Sequence, residues 1–315
     1  MAKKAETKET FDLSNPAFTD EDAARKYLEA SRWPDGAVCP HCQSGKHVAE
    51  LGGESMGPGW YHCSECRQKF TVRVGTLYER SHIPLHKWLL ATHLLTSSKK
   101  GMSAHQLHRM LGITYKSAWF MTHRIRKAME DVFKGPMSGE GGVIEADETY
   151  YGNTSKRAKG YRKGHRHKSN IVALVDPATG QARAFKAKKA TAATVRHILV
   201  TNVSRDAALV TDESPLYTRV GEEYAMHQTV LHAGREYVNR DGFTTNHVEN
   251  FFGIFKKGMV GVYHFCGEQH LQRYLTEFSF RYTHRHVSDG ERAALALKGI
   301  EGKRLTYRST NQAPF

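Results

Sequence analysis

The chain of 315 residues contains no run of about 18 apolar residues, so no transmembrane helix is expected. Its opening, MAKKAETKETFDLSNP, has no apolar core of the kind a secretory signal needs, and a soluble protein of the cytosol is the expectation. Cysteine is scarce: of five, four fall in two Cys-x-x-Cys pairs. In a reducing compartment that pattern argues for metal ligation rather than disulfides, and leaves Cys266 as a small buried hydrophobe. Acidic residues are outnumbered, 32 against 46 Lys and Arg, and the net charge of +14 points to a polyanionic partner. Nucleic acid comes first, an anionic membrane surface second. No internal repeat is found. What is there suffices for real cores, since 39% of the residues are apolar and 10% aromatic.

The composition changes along the chain in a way that suggests a multidomain α/β protein. Residues 1–19 are polar and aperiodic, and are expected to be a disordered tail. Residues 20–79 read as a short helix followed by a small β-rich module of Cys, Gly, Pro and short alternating stretches. Helical spacing returns in residues 80–135, through Trp88, Leu89, His93 and Leu94, then Leu107, Met110 and Leu111. Gly135 to Gly139 breaks it, and residues 140–290 alternate strand-like with helix-like runs. Residues 291–315 are expected to be a C-terminal tail.

Cys39 and Cys42, then Cys63 and Cys66, form two knuckles with 20 residues between them. Each knuckle brings two thiolates to one ion, and the two together complete a closed tetrahedral zinc site with a structural role. His41 and His62 lie nearby, but four cysteines leave them no vacancy.

Ser103 and Thr114 read as N-caps of two helices separated by a turn at Gly112, which is the helix-turn-helix pattern. The second helix carries Lys116, Arg124, Arg126 and Lys127, cations suited to phosphates along a major groove. An ordinary helical hairpin with a solvated basic face is the alternative. A further basic run, Lys156, Arg157, Lys159, Arg162, Lys163, His165, Arg166, His167 and Lys168, lies between two expected strands. It reads as a hairpin that orders on DNA, or simply as a solvated loop.

Residues 142–152 form an alternating strand that delivers Asp147, with Glu148 expected on the opposite face. Strands at 171–175 and 182–187 complete an antiparallel meander. A helix over 191–203 leads to a buried strand, 207–211, ending at Asp212, where α/β sheets open their ligand crevice. A strand over 226–232 precedes a helix over 244–259 with Glu249 in its first turn. Asp147, Asp212 and Glu249 converge if the sheet folds as a ribonuclease-H-like core. Each has a plainer reading: Glu249 as a capping-box partner of Asn246, Asp212 as the start of a turn before Pro215, Glu145, Glu148 and Glu213 as flanking acids.

These residues resemble the DDE transposases of prokaryotic insertion sequences, in the ISXO2-like group with an N-terminal zinc ribbon. The resemblance covers about residues 20–290. It rests on the paired cysteines, Glu145 to Gly152, Thr211-Asp212, Asn246 to Glu249, Gly258 to His264, His270 to Phe278 and Phe280-Arg281-Tyr282. Thirty-six residues lie between Asp212 and Glu249, and Lys256 follows Glu249 by seven, on nearly the same helix face. Asn246, three residues before Glu249, is the alternative third ligand, since relatives carry Asn in that position.

The resemblance implies cleavage at the ends of a mobile element, joining into target double-stranded DNA, and an oligomer that brings two terminal inverted repeats together. The catalytic and metal-binding residues are then Asp147, Asp212 and Glu249. Oxygen ligands alone point to two Mg2+ ions, with Mn2+ as substitute. Lys256 and Lys257 join the basic residues above as DNA contacts. Two other classes fit parts of the sequence: a DNA-binding regulator built on a retired catalytic core, and a nuclease that cuts without joining.

Overall fold

The computed structural model describes residues 13–53, 56–130, 135–139, 141–152, 169–231 and 238–306. They fall in two compact units, one drawn from the chain up to Met129 and again from Val287 onward, the other from Glu130 to His286. Among the described residues no helix is long and apolar enough to cross a membrane.

In the first unit, Asp20 caps α1 (Glu21–Arg32) by accepting from the Ala23 amide. Three short strands, β1 (Val48–Leu51), β2 (Trp60–Cys63) and β3 (Lys69–Thr71), form an antiparallel sheet in that order. Trp33, Tyr61 and Phe70 pack ring against ring beside it, with centroids 5.3 to 5.8 Å apart. Three helices follow, α2 (Leu85–Ser97), α3 (Ala104–Leu111) and α4 (Tyr115–Ala128). The expected caps are in place: Ser103 accepts from the Gln106 amide, Thr114 from Ser117, and Gly112 turns the chain at φ +60°.

Two expectations at the chain ends change. Residues 1–12 lie outside the described part, but Pro16–Phe18 form a 3-10 helix with Ala17 and Phe18 buried, and Phe18 packs on His93. Polarity of the flanking residues had masked these two apolar anchors. The stretch assigned to a C-terminal tail contains most of α9 (Asp289–Lys298), which opens with a capping box of Ser288 and Glu291. This helix packs on α2, with Arg292 donating to the Thr96 carbonyl at 3.1 Å. Its close neighbour α4 leaves no room at Gly299, where a Cβ would meet the Ala128 carbonyl oxygen at 2.0 Å. An alternation too short to register among charged residues hid a helix whose Ala293, Ala296 and Leu297 are all buried.

The second unit is built on a five-stranded sheet. Its elements are β4 (Val143–Tyr151), β5 (Ser169–Val175), β6 (Ala182–Ala187), α5 (Ala192–Asn202), β7 (Ala208–Asp212), α6 (Pro215–Gly221), β8 (Met226–Val230), α7 (Asn246–Gly258) and α8 (Leu271–Thr283). The strand order is β6-β5-β4-β7-β8, with β4, β5 and β6 antiparallel and β7 and β8 parallel to β4. The antiparallel meander of β4 to β6 expected from the sequence is formed, within a ribonuclease-H-like sheet.

Because successive side chains alternate, β5 feeds two cores. Ile171, Ala173 and Val175 pack with Val248, Phe251 and Phe255 of α7 and Leu275 and Phe278 of α8. Val172 and Leu174 pack with Ile144, Ala146, Val195, Leu199 and Tyr217 on the other face. Cys266 is buried in the first of these, as a small hydrophobe should be.

Candidate active site and metal centres

The parallel pairing of β4 with β7 runs from Val143 opposite Ala208 to Glu145 opposite Val210. Two residues further along, Asp147 is level with Asp212, which ends β7. Carboxylate oxygens of Asp147, Asp212 and Glu148 lie within 4.8 Å of one another. Glu148 was expected to face away, and it does not. The β4–β7 ladder stops short of it, so its longer side chain is free to reach toward the end of β7, where the Ser214 hydroxyl donates to its Oε1 at 3.1 Å. The buried Tyr217 hydroxyl is its other neighbour; burial, and then Glu148 by charge and hydrogen bonding, raise the Tyr217 pKa. Three carboxylates drawn this close are a hard oxygen donor set, which fits a divalent metal.

Electrostatics at the cluster are strained without a cation. Burial, and then the charge of Asp212, push the Asp147 carboxyl up to about 7, and Glu148 and Glu249 add to the rise. The Glu148 amide opposes them by donating to Asp147 Oδ1 at 2.7 Å. Asp212 accepts from the Ser214 amide at 3.1 Å, so its turn-forming role and its place in the cluster coexist.

Glu249 stands apart from the tight group. It is exposed in the first turn of α7, and its Oε1 accepts from the Thr245 hydroxyl at 3.2 Å. Thr245, not Asn246, is the N-cap, so the capping box with Asn246 is not formed. Glu249 still faces the cluster closely enough for its charge to raise Asp147.

Glu145, set aside as a flanking acid, is only 1% exposed and binds α7 directly. One oxygen accepts from the amides of His247 (2.8 Å) and Val248 (3.0 Å), the other from or with His247 Nδ1 at 2.7 Å. Burial raises its carboxyl while these hydrogen bonds pull it down. Its place two residues before Asp147, on the same face of the strand, was the available signal. Nothing local marked its partner, which lies 102 residues away.

Several motif residues now have structural roles. The Tyr263 hydroxyl donates to Glu277, which also holds Arg281 in a buried pair, and the Tyr282 hydroxyl donates to the His247 carbonyl at 3.0 Å. Tyr263, in a π-helical turn after α7, is thereby fastened to α8.

The four thiols of Cys39, Cys42, Cys63 and Cys66 converge. Cys39 Sγ lies 3.6 Å from Cys66 Sγ, and Cys42 Sγ 3.6 Å from Cys63 Sγ. Those separations are far too long for disulfides and close to the ~3.8 Å edge of a tetrahedron with metal–sulfur bonds of about 2.3 Å.

The expected DNA contacts divide. Lys116 is exposed at the start of α4 and Lys127 is half-buried near its end. Arg126 is 2% exposed and donates to Thr122 Oγ1, so it is a core residue and not a phosphate contact. Arg124 is half-buried, its guanidinium 4.7 Å over Phe120 and 5.9 Å from the Trp88 ring, donating to the Glu79 carbonyl. The α4 face defined by Ala118, Met121, Thr122 and Ile125 is buried, and a charge count does not reveal which side of the helix a cation occupies. Lys256 and Lys257 are exposed in the last turn of α7. Lys156, Arg157, Arg162, Lys163, Arg166 and Lys168 lie outside the described residues.

A ribonuclease-H-like sheet that gathers carboxylates from adjacent parallel strands and a following helix defines the DDE class of polynucleotidyl transferases. Comparison with known proteins gives the family. Residues 139–283 match the ISXO2-like transposase domain and residues 19–69 the transposase zinc-ribbon domain. The chain therefore carries an ISXO2-like transposase domain preceded by a transposase zinc ribbon. It is 28% identical over 238 residues, 71% of its length and 78% of the relative's, to an uncharacterized protein in transposable element ISH50 of Halobacterium salinarum. Similar solved structures include the HTLV-2 integrase catalytic core domain in complex with magnesium, at 17% identity and TM-score 0.28, covering 45% of this chain and 84% of that one. The Mos1 transposase paired-end complex is similar at 12% identity and TM-score 0.27, covering 67% and 74%.

Proposed function

We propose that this transposase holds two Mg2+ ions with Asp147 and Asp212 at the centre, Glu148 closing the site from β4 and Glu249 from α7. The observation that carries the reading is the convergence of the carboxylates of Asp147, Asp212 and Glu148. When bound, the ions supply activation of an oxygen nucleophile and stabilisation of the leaving oxygen. The protein's own part is to fix the carboxylates on strands and to give up the proton that Asp147 retains near pH 7 in their absence. Water serves as nucleophile in cleaving the ends of the element, and the freed 3′-hydroxyl in joining to target DNA. In-line attack needs both oxygens held in register with the scissile phosphate, which rigid β4 and β7 favour.

The zinc-ribbon cysteines would hold one structural Zn2+. The pair α3 and α4 serves as a helix-turn-helix on double-stranded DNA, with Lys116 at the groove and Lys127 toward the backbone. Arg124 and Arg126 are left out of that surface because they are engaged within the protein. Lys256 and Lys257, on the helix that bears Glu249, suit the phosphates next to the scissile bond. Synapsis of two element ends calls for at least a dimer, working on DNA in the cytoplasm.

The test is cleavage and strand transfer of labelled element-end DNA with Mg2+ or Mn2+. Asp147→Asn and Asp212→Asn are each expected to reduce cutting by at least about a hundredfold while binding the same DNA normally. Undiminished cutting by either variant removes that residue from the site. Binding without cutting by the wild type under both metals favours a DNA-binding regulator instead.

A further inference from the structure

At the start of the helix that carries Glu249, the N-cap Thr245 makes no capping bond, and the Thr244 hydroxyl receives only the Asn246 amide, at 3.0 Å. Instead the helix's first-turn amides at His247 and Val248 are both received by one oxygen of Glu145, and the His247 ring by the other. Glu145 is buried on β4, two residues before Asp147. The same His247 is held from its carbonyl side by the Tyr282 hydroxyl of α8. An N-terminal turn gripped at its amides, imidazole and carbonyl has little freedom to slide or rotate, and Glu249 is the second residue after the gripped His247.

We infer that Glu145, through the clamp on His247 and Val248, is a positioning residue that sets where Glu249 meets the metal site. One strand would then place three of the metal-binding carboxylates, Asp147 and Glu148 directly and Glu249 by way of the α7 N-terminus. An exposed glutamate on a helix end, 37 residues along the chain from Asp212, needs such a register pin, since an error of about 1 Å in a positioned group is enough to cost catalysis heavily. The inference rests on the proposal that Glu249 is a ligand.

The experiment is a double-mutant cycle read by Mn2+ binding to the full chain without DNA, followed by paramagnetic resonance of the free ion. The proteins are wild type, Glu145→Gln, Glu249→Gln and the double variant, with folding checked by circular dichroism. Expected are affinity losses of about tenfold in each single variant, and a double variant no weaker than Glu249→Gln within twofold. Independent, multiplying losses would show that Glu145 acts only on general stability and overturn the inference, as would wild-type affinity in Glu145→Gln. If Glu145→Gln does not fold, His247→Ala, which removes the imidazole and leaves the backbone amides, takes its place with the same expectation. Unchanged affinity in Glu249→Gln would instead strike Glu249 from the ligand set and take the inference with it. A loss in Glu249→Gln with none in Glu145→Gln or His247→Ala would leave the ligand set standing and end the positioning role alone.

Discussion

Asp147 is the residue whose chemistry depends most on what surrounds it. Its carboxyl has an ordinary value of 3.8 and is lifted to about 7 by burial and by Asp212. The sign follows from linkage. Between about pH 4 and pH 7 the folded, metal-free protein keeps a proton that the unfolded chain has released, so stability falls as pH rises through that window. Above about 7 the penalty is complete. Thermal melts of metal-free protein from pH 4.5 to 8 are expected to show this decline, and Asp147→Asn to flatten it; equal slopes in the two proteins would contradict the assigned environment. Divalent metal should displace the same proton, so Mn2+ affinity is expected to fall about tenfold per pH unit below 7. At this scale the sequence was informative about Asp147 and Asp212, because apolar strands present them. It was misleading about Glu148, since alternation constrains the direction a Cβ leaves the strand and not where a longer side chain ends beyond the last rung of a ladder. Glu145 was illegible as a clamp because its partners come from the far end of the unit.

Among the elements, α4 separates two kinds of basic residue that look alike in the sequence. Lys116 is exposed in the first turn, whereas Arg126 is buried against Thr122. Lys116→Ala is therefore expected to weaken DNA binding and reduce the salt slope by about one, with the melting temperature unchanged. Arg126→Ala is expected to cost about 2 kcal/mol or more of stability through the lost packing of a buried side chain and the cavity it leaves. Chemical denaturation and salt-dependent DNA titration of the two variants check this directly; a stable Arg126→Ala with reduced DNA affinity would reverse the assignment. The helix, the turn and its caps were readable from Ser103, Gly112 and Thr114. Which face of α4 was covered was not, because part of the cover comes from α9, more than 150 residues later in the chain.

For the whole molecule, the strands of the second unit and the cysteine cluster of the first followed from hydrophobic alternation and from ligand spacing, both local signals, whereas the order of the strands across the sheet is set by long-range pairing. The division of the chain did not follow from either signal. A zinc chelator is expected to expose residues 39–71 to hydrogen exchange while β4, β5 and β7 stay protected, since these strands have cores built wholly from residues of the second unit. Simultaneous loss of protection in both would mean that the ribbon supports the catalytic sheet. The unit that returns at Val287 has a further consequence for biosynthesis. On the ribosome, the first 129 residues emerge without the helix that completes their packing, and the entire catalytic unit is made before that helix exists. The nascent protein therefore acquires its cutting machinery before its first unit is finished, and a message truncated anywhere in between yields a first unit in which α2 lacks its α9 neighbour.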